Sequence, residues 1–184
     1  EVTSMNLPDG STLYFKNGEP DYPVFPDGSR NDYLRNEAGK LLAIKATDKD
    51  GVLREFAGLL KASGTIHSEE EIIRVLAERE SLGSTGIGDG VAIPHGKVRN
   101  LRDAVIAFGR SRKGVDFDTM DGKPAYLFFL LLSPEDRPGD HLKILARISR
   151  ILKNPVFREK LRSAPQRQEL QRMILEEDGK YPQR

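Results

Sequence analysis

The sequence predicts an α/β fold, with helices arranged around a mixed sheet, and three features carry that expectation. The run Ala125-Tyr126-Leu127-Phe128-Phe129-Leu130-Leu131-Leu132 is almost continuously apolar, and a strand with two apolar faces belongs in the middle of a covered sheet. Two segments, Val52, Leu53, Phe56, Leu59 and Leu60, then Ile72, Ile73, Val75 and Leu76, repeat apolar residues at helical spacing. After the apolar strand a further stripe, Leu142, Leu145, Ile148, Ile151 and Leu152, has the same period. Helices of this kind bury their stripes against the faces of a sheet.

The first 40 residues differ from the rest. Pro8-Asp9-Gly10, Asn17-Gly18, Pro20, Pro23, Pro26-Asp27-Gly28 and Asn31-Asp32 punctuate them every few positions, so only short strands fit between the breaks. Leu13-Tyr14-Phe15 and Tyr22-Pro23-Val24-Phe25 suit the arms of a hairpin around Asn17-Gly18, with Pro23 confining the second arm to an edge. The spacer from Asn17 through Asp21 is longer than a two-residue turn. Residues 1–40 are therefore expected to form an extension, whether a hairpin, a dimerisation arm or a linker. The first residue is Glu rather than Met, which fits either a piece of a longer polypeptide or a start at Met5.

The main domain is expected over residues 41–178, with 179–184 as a tail. Leu41-Leu42-Ala43-Ile44 suggests a strand, and Thr47-Asp48-Lys49-Asp50 carries helix-start residues for a helix ending near Gly64. Ser68 and Glu71 form the S-x-x-E capping box of a second helix, whose last turn holds Arg79 and which stops at Gly83. Ala104 to Phe108 reads as a strand. Asp140 is placed to cap the third helix, with His141 at its start and Asn154-Pro155 as its stop. Phe157 to Leu161 and Leu170 to Leu175 suggest two shorter helices, and Glu176-Glu177-Asp178-Gly179 ends the ordered chain.

Composition excludes several classes of function. With no cysteine there are no disulfides, thiolate metal sites or cysteine nucleophiles, in keeping with a cytoplasmic protein. Lys and Arg number 29 against 28 for Asp and Glu, so no global field recruits nucleic acid or membrane. The basic run Lys143, Arg147, Arg150, Lys153, Arg158, Lys160 and Arg162, opposed by Glu159, reads as a solvated helix face. The longest apolar run falls far short of the ~20 residues that span a bilayer, and no signal peptide is recognisable.

Chemistry is concentrated in Gly83-Ser84-Thr85-Gly86-Ile87-Gly88-Asp89-Gly90-Val91-Ala92-Ile93-Pro94-His95-Gly96. Val91-Ala92-Ile93 reads as a short buried strand that Pro94, lacking an N–H, should terminate, presenting His95 on a loop. An imidazole can attack as a neutral nitrogen near pH 7 and can face an anion when protonated. From spacing alone, a structural histidine in a glycine-rich turn is an equal alternative. The glycines fit neither G-x-x-x-x-G-K-[ST] nor G-x-G-x-x-G, since Val91 stands at the third position of the latter. His67, His95 and His141 lack metal-ligand spacing, and Ser84 lacks the G-x-S-x-G elbow of a hydrolase. His67 itself reads as an ordinary surface residue.

The run Gly83 to Gly96, preceded by Arg79-Glu80, resembles the active-site signature of the enzyme IIA domains of the fructose–mannitol class of the bacterial phosphotransferase system. Phe108-Gly109-Arg110-Ser111, Gly114-Val115-Asp116-Phe117-Asp118, Asp121-Gly122 and the strand Ala125 to Ser133 followed by His141-Leu142 extend the likeness over roughly residues 41–178. Gly83-Ser84-Thr85-Gly86-Ile87 and Phe117-Asp118 resemble the nitrogen-regulatory branch most. The resemblance implies a three-layer sandwich with about five core strands. It further implies that His95 is the phosphorylated histidine, that His141 and Arg79 contact the phosphoryl oxygens, and that Asp89 orients an imidazole or limits positive charge. Ser84 and Thr85 are weaker candidates as hydroxyl donors. No metal or cofactor is implied. The implied donor is the phosphohistidine of an HPr-type carrier protein. Whether the phosphoryl group then serves as a regulatory signal, toward a transporter or kinase, or passes to an enzyme IIB in sugar uptake stays open at this point. So does a non-catalytic module attached to a membrane transporter, with residues 1–40 as its linker.

Overall fold

A computed structural model of the protein describes residues 2–6, 12–16, 19–24, 41–165 and 167–181. Near the N-terminus, β1 (Val2–Asn6), β2 (Thr12–Lys16) and β3 (Glu19–Val24) form an antiparallel sheet in that order. The expected hairpin is β2–β3, but Lys16 pairs with Glu19, leaving only Asn17-Gly18 between the arms instead of a spacer reaching Asp21. Pro20 and Pro23 both fall within β3, an outer strand, where one side of the backbone needs no ladder donor. Strand β1 was not anticipated. Phe25, Pro8-Asp9-Gly10, Pro26-Asp27-Gly28 and Asn31-Asp32 lie outside the described residues, as do residues 182–184.

A second sheet begins at β4 (Leu41–Ala43), followed by α1 (Lys49–Ala62) and α2 (Glu69–Ser81). Three short strands, β5 (Gly86–Gly88), β6 (Val91–Ala92) and β7 (His95–Val98), precede two long ones, β8 (Val105–Val115) and β9 (Ala125–Pro134). Helices α3 (Pro138–Ile151), α4 (Pro155–Ser163) and α5 (Arg167–Gly179) complete the chain. The strand order is β4-β8-β9-β6-β5, with β7 also paired to β9. Because β6 lies opposite Leu127 and Phe128 while β7 lies opposite Leu131 to Pro134, the two run end to end along one edge of β9. Six strands thus occupy five positions, in a mixed sheet: β4 is parallel to β8, β8 antiparallel to β9, and β6 and β7 parallel to β9.

The apolar run at 125–132 is explained by alternation into two cores. Phe128, Leu130 and Leu132 join Val52, Leu53, Phe56, Leu60, Ile72 and Leu76 of α1 and α2 on one face. Leu127, Phe129 and Leu131 meet Ile144, Ile148, Phe157, Leu161, Leu170 and Ile174 of α3, α4 and α5 on the other. Successive side chains of a strand point to opposite faces, so a strand covered on both sides must be apolar throughout.

Local signals place most boundaries. Asp48 caps α1 by accepting from Gly51 N at 2.8 Å, and Ser68 caps α2 by accepting from Glu71 N at 3.2 Å. For α3 the expectation is corrected: Asp140 lies in the first turn rather than at the cap, because Pro138, with its φ already suited to a helix, begins the element earlier. Its buried stripe is His141, Ile144, Ile148 and Ile151, whereas Leu142 is exposed. Hydropathy favoured the leucine over the histidine beside it. Strand β8 continues past Phe108 to Val115, and α5 runs through Glu177 and Asp178, which are buried rather than terminal and frayed. Glu177 accepts from Asn154 Nδ2 at 3.1 Å, and Asp178 from Arg147 Nη2 at 2.7 Å. The basic run is also less solvated than expected, since Arg158 donates to Leu152 O at 2.7 Å and Arg162 stacks 3.9 Å from the centre of the Tyr126 ring.

Gly109 shows how closely α1 sits on the sheet. A Cβ there would come within 2.6 Å of Ile44 Cδ1 and 2.8 Å of Phe56 Cζ, and Phe56 is fully buried. Gly109→Ala is expected to destabilise the protein by about 1–3 kcal/mol through overpacking, read as a lower urea midpoint at unchanged slope.

Candidate functional site

His95 is the first residue of β7, not a loop residue. Pro94 interrupts the strand only as a donor, because its carbonyl still accepts from Leu131 N at 2.9 Å and the chain stays in register with β9. The ring is half-buried. Its Nδ1 lies 2.7 Å from Ile93 O, and a carbonyl can only accept, so Nδ1 carries the proton of the neutral ring and Nε2 the lone pair. That lone pair accepts from Arg79 Nε at 3.0 Å.

Arg79 reaches it from the last turn of α2 and also donates from Nη1 to Gly83 O at 2.9 Å, so one guanidinium fixes both the glycine loop and the imidazole. His141, on the first turn of α3, brings its ring centre to 5.4 Å from that of His95, tilted by 55°. Its Nδ1 meets Ser133 Oγ at 2.5 Å. Three element ends, the start of β7, the end of α2 and the start of α3, therefore converge.

Both imidazoles are held neutral. Burial lowers the pKa of His95, and the nearby Arg79 acts in the same direction, against the Ile93 carbonyl and Glu80, which favour the proton. Burial pushes His141 further, down to about 4, with His95, Lys97 and Arg79 adding to the effect. Nε2 of His95 thus presents an unprotonated lone pair across the neutral range, with a cation beside it.

The other expected site residues are engaged elsewhere. Asp89 and Gly90 form the two-residue turn between β5 and β6, both with positive φ, 55° and 77°, as a type I′ hairpin turn requires. The exposed Asp89 carboxylate faces Arg158 Nη2 at 3.6 Å, and its N–H donates to Asp121 Oδ2 at 3.0 Å. Ser84 donates to Phe117 O at 2.9 Å. The Thr85 hydroxyl donates to Glu80, a buried carboxylate that also accepts from Thr85 N at 3.1 Å and pairs with Lys49 Nζ at 3.3 Å. His67 is exposed, its carbonyl accepting from Lys61. Among the described residues no three His, Cys, Asp or Glu side chains gather as a metal site, and no helix is long and apolar enough to cross a membrane.

Sequence reasoning missed Ser133 and Glu80. The only signal for Ser133 was a hydroxyl at the end of an apolar run, and for Glu80 its place next to Arg79.

Residues 34–177 match the family described as phosphoenolpyruvate-dependent sugar phosphotransferase system, EIIA 2, and the chain belongs to that family. It is 44% identical over 124 residues to a nitrogen regulatory protein of Bradyrhizobium diazoefficiens, covering 67% of this chain and 80% of that one. It is also 38% identical over 128 residues to the fructose-specific EIIA component of Haloferax volcanii, covering 70% and 83% respectively. The crystal structure of the nitrogen regulatory protein IIA-Ntr from Neisseria meningitidis superposes with a TM-score of 0.69 at 36% identity, over 73% of this chain and 91% of that one.

The two lowered histidine pKa values set an acid limb of stability. Well above pH 7 neither the folded nor the unfolded chain protonates these rings. As pH falls from 6.5 toward 4 the unfolded chain takes up protons that the folded one refuses, so stability declines, by up to about 3 kcal/mol for His141. NMR titration should find both rings titrating below 6.5, with His141 near 4. Urea unfolding of His141→Gln should lose less stability over that window than the parent protein.

Proposed function

We propose that the protein is a stoichiometric phosphoryl carrier. His95 accepts the group from the phosphohistidine of an HPr-type protein and holds it as a regulatory signal of the nitrogen-regulatory kind. One observation carries this reading: Ile93 O ties down Nδ1–H, so the Nε2 lone pair is left facing a cation 3.0 Å away. Nε2 attacks phosphorus in line, and its new N–P bond forms as the donor's N–P bond breaks, the electron pair returning to the donor nitrogen. His95 keeps its proton on Nδ1, and a donor ring that carries a proton on its other nitrogen leaves as neutral imidazole, so that transfer needs no further acid or base. Arg79 releases the lone pair as attack begins and is then beside the phosphoryl oxygens, where a planar fork of donors stabilises the charge. Positioning supplies the remainder.

A protein donor suits the surroundings. Leu82, next to the end of α2, is 85% exposed, and Leu142 follows His141 with 67% exposed. In this reading Ser84, Thr85 and Asp89 shape the loop and hairpin rather than touch phosphate. Residues 41–178 form the carrier unit, with 1–40 an extension. A second reading, a sugar-uptake component that hands the group to an enzyme IIB, is favoured by the likeness to the fructose-specific component. Chasing the phosphorylated protein with enzyme IIB separates the two, since rapid loss of label would support uptake and retention the regulatory role.

Treatment with a phosphorylated HPr-type donor should add one phosphoryl mass, and His95→Ala should abolish it. Arg79→Ala should fold and accept phosphate about 10² more slowly; an unchanged rate would remove Arg79 from the step. Deleting residues 1–38 should leave acceptance intact, as measured by the same mass assay.

A further inference from the structure

Ser133 ends the apolar portion of β9 with a fully buried hydroxyl, in register with Lys97 of β7. Among the described residues that hydroxyl has one partner, His141 Nδ1 at 2.5 Å. Its proton must have an acceptor, because a buried hydroxyl with an unmade bond loses the hydration it had in water. If Nδ1 carried the ring proton, Oγ would accept it and the serine proton would be left with no acceptor among the described residues. If Nδ1 carries the lone pair, the single contact satisfies both groups. The neutral ring then has its proton on Nε2.

Nε2 of His141 makes no hydrogen bond to a described residue, while the ring lies 5.4 Å from that of His95. We propose that Ser133 is a positioning residue: by donating to His141 Nδ1 it holds that imidazole in the Nε2–H tautomer, which presents a neutral hydrogen-bond donor to a phosphoryl group on His95. The role toward phosphate rests on the carrier reading above; the tautomer does not. The two histidines are opposite in design. A carbonyl at Nδ1 makes Nε2 of His95 a nucleophile, and a hydroxyl at Nδ1 makes Nε2 of His141 a donor. Lys97 and Arg79 supply the positive charge near His141, so the ring itself need not be a cation.

The test reads the tautomer directly, by 15N NMR of the histidine side chains in the unphosphorylated full chain at pH 7. The expected result is a protonated Nε2 and an unprotonated Nδ1 for His141, with the reverse for His95. A protonated His141 Nδ1 would overturn the proposal whatever the phosphorylation assay shows. In Ser133→Ala the His141 signals should move toward a tautomer mixture and the rate of phosphate acceptance should fall about tenfold, the scale of a lost outer-shell partner. Unchanged tautomer and rate would also overturn it. A third comparison avoids the serine altogether: His141→Gln, whose amide nitrogen falls near the imidazole Nε2, should retain more transfer than His141→Asn, whose nitrogen falls near Nδ1. The opposite order would count against an Nε2–H donor. Should the parent protein accept no phosphate while His141 still shows Nε2–H, the carrier reading fails and the serine–histidine assignment stands.

Discussion

The pairing of β9 with β8 on one edge and with β6 and β7 on the other is the interaction that holds the layers and the site in place. Because β9 is central, its alternate residues must serve two cores, and the helices that close those cores are fixed relative to it. Helices α1 and α2 lie on one face and α3 to α5 on the other, so each site residue comes from a different layer. Arg79 comes from the first helical layer, His95 from the sheet and His141 from the second. Interiors of this kind are packed too tightly to shift by small degrees, which is what lets two rings and a guanidinium keep their spacing without a disulfide to clamp them.

Burial and chemistry are linked at this site. The environment that lowers both histidine pKa values also strengthens every hydrogen bond aimed at them. A solvated His95 would be partly protonated near neutral pH, with its Nε2 lone pair partly blocked. The Arg79 guanidinium supplies the cation that the rings do not. The polar groups behind the site are satisfied one by one: Glu80 by Thr85 and Lys49, His95 Nδ1 by Ile93, and His141 Nδ1 by Ser133. In a low-dielectric setting an unsatisfied member of that set would be costly, so the arrangement also narrows the number of conformations open to the site.

Element type was legible wherever one face of a segment had to be apolar or one residue had to cap. The stripes of α1 and α2, the Asp48 and Ser68 caps and the two-faced strand at 125–132 are local patterns that tertiary packing had no reason to override. Errors fell where a polar or backbone-restricting residue was accommodated by a partner distant in sequence. Pro94 reads as a strand terminator, yet β9 asks only for its carbonyl. The helix stripe reads from Leu142, yet it is His141 that turns inward, where Ser133 satisfies it. Glu177 and Asp178 read as the charged end of the ordered chain, yet Asn154 and Arg147 meet them as buried residues of α5.

By itself the sequence determined the layered α/β class, the segment that carries the chemistry and the identity of His95 as its candidate nucleophile. Composition, period and a glycine-rich signature are properties of neighbouring residues, readable without coordinates. The tertiary structure alone decided which nitrogen of each histidine faces the site, that Arg79 holds the His95 lone pair, and that Asp89, Ser84 and Thr85 turn to protein partners. Those outcomes depend on hydrogen-bond acceptors contributed by other elements, and a ring's tautomer follows from whichever acceptor or donor the fold sets against it.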